Sequence, residues 1–89
     1  MTPQERGDAV CRALLARGEL ELESPDPTVR VFVRRWHGER TGLGKLIEAP
    51  YATYWYVGPK ALVRVGSRRE TSRPVRPEIV ALLVAEGTA

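Results

Sequence analysis

Eighty-nine residues allow one domain with a single modest core. Apolar residues make up 43% of the chain and charged residues 28%, the balance of an ordinary globular domain, which argues against global disorder. The net charge is +3, and the longest apolar run, Ile79 to Ala85, is too short to cross a bilayer, so no membrane partner is expected.

Met1-Thr-Pro-Gln-Glu-Arg6 has no basic patch leading into an apolar stretch, so no secretory leader is expected and the cytoplasm is the expected compartment. One cysteine rules out an internal disulfide and a cysteine-built zinc site. Twelve of the 14 cationic residues are Arg, an excess read first as the bias of a GC-rich genome and only then as function.

Thr2, Pro3 and Glu5 form a helix start: a capping hydroxyl, a proline at the first helical position and an acid three residues on. The helix is predicted over 3–17, ending at Gly18, with Gly7, Val10, Cys11, Leu14 and Leu15 on its apolar face. Glu19-Leu-Glu-Leu-Glu23 alternates and predicts an edge strand with Leu20 and Leu22 inward and three glutamates outward. Ser24 to Pro27 is a turn. Thr28 to Trp36 is the strongest strand, with Val29, Val31 and Val33 on one face and Arg30, Phe32, Arg34 and Trp36 on the other. A polar loop at 37–42 and a strand at 43–48 follow, then a strand at 51–57. Gly58-Pro59-Lys60 turns the chain into a return strand over 61–65. Residues 67–76 read as a basic extended arm, and a last helix is predicted over 77–86, stopped by Gly87. The order predicts a single α+β domain: an N-terminal helix, an antiparallel meander of four to five strands, and a C-terminal helix, with both helices on one sheet face.

The charge is unevenly placed. Residues 1–27 carry −3, residues 28–77 carry +8 and residues 78–89 carry −2, so the positive charge belongs to the strands and the arm. If Trp55 and Val57 point toward the helices, Tyr54 and Tyr56 join Phe32 and Trp36 on an outer face. Arginine interleaved with aromatics on an open sheet suits nucleic acid, because guanidinium groups pair with phosphates and flat rings stack on bases. The expected phosphate contacts are Arg30, Arg34, Arg64, Arg68, Arg69 and Arg73, and the expected stacking residues are Phe32, Trp36 and Tyr54. The same residue types occur in strands simply for packing, and a curled meander would bury them.

Residue types for catalysis are few. His37 is the only histidine and would be the general base of a small ribonuclease, against the plainer reading of a solvated loop side chain. A Cys11–His37 dyad conflicts with the place of Cys11 on the apolar helix face. The glycines at 38, 42 and 44 lack phosphate-loop spacing, and the acids at 19–26 lack a metal-ligand pattern, so no cofactor or metal is expected.

The reading is therefore a non-enzymatic module that binds nucleic acid through the sheet face and the 67–76 arm. Its alternative is a protein-binding module, a small inhibitor or adaptor of phage or mobile-element type. Such a module would act on a nucleic-acid-processing complex or on a second copy of the chain to form a homodimer.

Overall fold

The computed structural model describes residues 1–36, 51–69 and 73–88. Helix α1 (Pro3–Ala16) leads into β1 (Leu20–Leu22) and β2 (Arg30–Trp36). Then come β3 (Tyr51–Val57), a 3₁₀ turn (Pro59–Ala61), β4 (Val63–Arg69) and helix α2 (Pro77–Thr88). The four strands form one antiparallel sheet in the order β1-β2-β3-β4. The α+β architecture and its element order thus agree with the sequence. The loop at 37–42 and the strand at 43–48 fall outside the described residues.

Both ends of α1 are closed as the sequence implies. The Thr2 hydroxyl accepts the Glu5 backbone N–H at 3.1 Å and donates to the Glu5 carboxylate. At the other end Gly18 adopts φ +92°. The N–H groups of Gly18 and Glu19 return to the carbonyls of Leu15 and Leu14, so two carbonyls at the helix end are satisfied within one turn.

The helices do not share a face, contrary to the sequence expectation. Register places Val31 opposite Tyr56 and Val33 opposite Tyr54, and this side packs with Val80 and Leu83 of α2. Phe32 lies opposite Trp55, and with Val57 it packs against Cys11 and Leu14 of α1. The physical reason lies in the central strands. Val31-Phe-Val33 and Tyr54-Trp-Tyr-Val57 are apolar without interruption, so each face of the sheet needs its own cover. A continuous apolar run marks a strand buried on both sides, whereas alternation marks one side only.

The two helices meet at one end of the sheet. Both reach the turn at 59–61, where Lys60 and Ala61 hold φ of 60°. Gly87 is not a helix stop: it lies inside α2, where a Cβ would come within 2.6 Å of the Pro59 ring. The return strand also differs. It begins at Val63 because of the 3₁₀ turn, and it runs on to Arg69, into the segment predicted as arm. Ser67, Arg68 and Arg69 pair with Thr53, Ala52 and Tyr51. Charged residues suit an outer strand, where they discourage further pairing.

Candidate nucleic-acid interface

The alternation of β2, β3 and β4 divides the predicted site between two faces. The α1 face carries Arg30, Phe32, Arg34 and Trp36 from β2, then Tyr51, Thr53, Trp55 and Val57 from β3, and Val63, Val65, Ser67 and Arg69 from β4. The α2 face carries Arg35, Ala52, Tyr54, Tyr56, Arg64 and Arg68.

Two predicted stacking residues are corrected by burial. Phe32 is 0% exposed, beneath α1, and Tyr54 is 1% exposed on the α2 face. Neither offers a ring to a base. Tyr56 is buried beside Tyr54, so the outer-face placement of both tyrosines was one phase out.

Several predicted phosphate ligands are engaged within the fold. Arg30 grips the Glu21 carboxylate in a two-pronged contact, Nε to Oε2 at 2.8 Å and Nη2 to Oε1 at 2.7 Å. That contact holds the Glu21 carboxyl below its usual range and pushes the Arg30 guanidinium up. Arg64 pairs with Glu86 of α2 at 2.8 Å. Arg68 lies 4.9 Å over the Tyr54 ring and donates to the carbonyls of Arg73 and Pro74. It thereby straps residues 73–76 across the α2 face, and the backbone N–H of Arg76 finishes the strap by donating to the Tyr56 hydroxyl at 3.1 Å. The predicted arm is thus part strand and part strap. Residues 70–72 lie outside the described residues.

Arg34, Trp36 and Arg69 lie together on the half of the α1 face that, among the described residues, no helix covers. Helix α1 ends at Ala16 with Arg17 as its cap, so its cover stops beyond Trp55, where the Arg17 guanidinium sits 5.5 Å over the indole. Past this point Trp36 stacks on Tyr51 with ring centres 5.2 Å apart and planes 25° from parallel. The indole N–H of Trp36 points to the Thr53 hydroxyl at 3.4 Å, and Thr53 and Ser67 share a 2.8 Å hydroxyl contact. Arg69 is exposed and has no ion-pair partner among the described residues. Arg34 lies 2.8 Å from Glu19 and donates to the Arg17 carbonyl at the end of α1. Arg73 is exposed at the same end of the sheet.

Glu19 was expected on the solvated side of an edge strand, yet its side chain is 0% exposed. The tight end of α1 draws it beneath the last turn, where Arg34 and Arg17 lie 2.8 and 3.6 Å from Oε1, but neither oxygen receives a well-aligned hydrogen bond. Glu19 therefore anchors Arg34 at the border of the open surface by charge. Leu20, expected inward, is exposed. Sequence reasoning missed Tyr51, Thr53, the strand position of Ser67 (read as part of the arm) and Glu19 as parts of this region. The strand register would have found the first three, since Trp36, Tyr51 and Arg69 form one cross-strand row and Arg34, Thr53 and Ser67 the next.

His37 lies outside the described residues. Burial pushes the Cys11 thiol up, against a role as nucleophile. Among the described residues no group of three or more His, Cys, Asp or Glu side chains could hold a metal ion, and no helix is long and apolar enough to cross a membrane. A scan against protein-family models, a search of curated proteins and a search of solved structures each find no match, so the reading of this surface rests on its own geometry.

Proposed function

We propose that this protein is a binding module for single-stranded nucleic acid, and that it binds through the half of the α1 face that α1 does not cover. The observation that carries the reading is the Trp36–Tyr51 stack beside the Thr53–Ser67 hydroxyl pair, with Arg34 and Arg69 at its sides. Flat rings at a sheet surface suit bases that are not already paired in a duplex. The arginines supply phosphate contacts, and the hydroxyls supply hydrogen bonds to sugar or phosphate. Arg35, Arg68 and Arg73 add positive potential from the other face of the same sheet end. The side chains gathered here hold and orient a ligand, which favours binding over turnover.

The test is fluorescence anisotropy with a labelled single strand of about ten nucleotides, a length within the usual site sizes. Each neutralised phosphate contributes a slope of about 0.7, so roughly three contacts predict a loss of about tenfold or more between about 50 mM and about 200 mM salt. Absence of binding at low salt, or binding indifferent to salt, refutes the proposal.

A second reading has its own observation. Val63 and Val65 are exposed on β4 at 40% and 59%, next to the same platform, and an apolar strip beside Trp and Arg is the composition of a protein interface. Under that reading, a partner from a nucleic-acid-processing complex binds in a manner that Val65→Asp abolishes and oligonucleotide does not compete; capture that survives this change excludes it.

A further inference from the structure

We infer that the α2 face holds a second ligand site, in the groove between β4 and α2, suited to a small apolar molecule bearing an anionic group. Helix α2 packs on Tyr54, Tyr56 and the valines of β2 through Val80 and Leu83. It leaves a groove of about 320 Å³ alongside β4. That volume is at the lower end of small-molecule sites, which span about 300–1,000 Å³.

Gly66 is the central observation. It sits opposite Tyr54 in the middle of β4, where glycine weakens a strand. Nothing in the fold requires it: its φ is not positive, and a Cβ built there would meet no atom within 4 Å. A glycine without a steric or conformational need of its own chain marks a place where another molecule approaches the backbone. Across the groove, Leu82 of α2 is 43% exposed and presents an apolar wall.

The polar groups converge on the same space. Arg64, Arg68 and Arg76 line the groove. Arg64 and Arg76 hold surface carboxylates, Glu86 and Glu78, in half-exposed pairs. Such solvent-exposed pairs are weak, so an incoming anion can share or replace the partner. Tyr56 also lines the groove, and its hydroxyl accepts the Arg76 backbone N–H. An apolar wall at the side and cations at the rim together suit an amphiphilic anion. The site is on the opposite side of the sheet from the Trp36 platform, so either can be removed without the other.

The probe is 8-anilinonaphthalene-1-sulfonate, titrated against the folded protein by its own fluorescence. N-phenyl-1-naphthylamine, which has the same rings without the sulfonate, serves as the neutral comparison. We expect saturable one-to-one binding of the sulfonate and at least tenfold weaker binding of the neutral dye. Gly66→Leu projects a side chain toward the groove from a position where the first added carbon meets no atom, and Leu82→Glu places a like charge on its exposed wall. Each is expected to cost at least tenfold in affinity, with the melting temperature of each variant checked by circular dichroism. Trp36→Ala is expected to leave dye binding unchanged. Absence of saturable binding overturns the inference, as does full affinity in Leu82→Glu or in folded Gly66→Leu. Equal binding of the neutral dye, or loss of binding in Trp36→Ala, overturns it as well.

Discussion

The two ends of the sheet are built from the same strands but to different rules. Near the 59–61 turn, Phe32 and Val57 are buried beneath α1 and Tyr56 beneath α2, so the central strands are covered on both faces. At the far end the α2 face is closed by the strap that Arg68 holds, while on the α1 face Trp36, Tyr51, Thr53 and Ser67 lie beyond the end of α1. Composition changes along the strands to match. In β2 the sequence passes from Val31-Phe-Val33 to Arg34-Arg-Trp36, and in β4 from Val63 and Val65 to Ser67-Arg-Arg69. The buried end carries the stability of the domain, and the proposed binding residues sit at the other.

The sharpest way to break this contrast is to truncate one ring at each end. Phe32→Ala is expected to cost about 3–5 kcal/mol, the usual penalty for a fully buried aromatic. That is a large part of the stability of a small domain, and urea denaturation measures it. Trp36→Ala is expected to cost only about 1 kcal/mol of stability, the worth of a ring pair. Its larger effect falls on binding: Trp36→Ala and Tyr51→Ala are each expected to weaken single-strand affinity by about 1–3 kcal/mol, read by anisotropy. A Trp36→Ala protein that unfolds, or a stable Phe32→Ala protein, would erase the distinction.

Glycines sharpen the comparison further. Gly87→Ala forces a methyl group against the Pro59 ring and is expected to cost about 1–3 kcal/mol. For a domain of this size each kcal/mol lowers the melting temperature by about 4–8 °C, which thermal unfolding resolves. Gly66→Ala has open space around it and is expected to stabilise by about 0.5–1 kcal/mol.

Charge offers a finer contrast. Arg69→Gln is expected to reduce the salt slope of binding by about 0.7, one phosphate contact, whereas Arg64→Gln, on the other face and paired with Glu86, leaves the slope unchanged. The smallest effect is on pH dependence. The Glu21 carboxyl is lowered in the folded state, so its contribution is present above the unfolded value of about 4.3 and is lost as pH falls through the lower folded value. Arg30→Gln should therefore flatten the acid limb of a stability–pH profile by lowering stability above about pH 4.3, neutrality included, and change it least at pH below the folded value.

The sequence made some of this legible and hid the rest for identifiable reasons. Caps, periodicity and turns located both helices and β1 to β3 closely, because Thr2, Gly18, Pro77 and the alternation at 19–23 act locally. The end of β4 was hidden because Ser67-Arg-Arg69 has the composition of a loop and is held in a strand only by its neighbour β3. Gly87 looked like a stop because its tight packing on Pro59 is a tertiary contact. The face of each tyrosine in β3 was hidden because every residue from Tyr54 to Val57 is apolar or aromatic, so the pattern has no phase of its own. Of the expected site residues, Arg34, Trp36 and Arg69 converge on one open surface, while Phe32 and Tyr54 belong to the core.

The most direct measurement of the central claim is a two-dimensional amide NMR titration of the labelled protein with a short single strand at low salt. The account predicts perturbations concentrated at residues 34–36, 51–53 and 67–69, with α1 and the Val80–Leu83 face of α2 unmoved. Shifts centred on either helix, or a spectrum unchanged by the oligonucleotide, would contradict it.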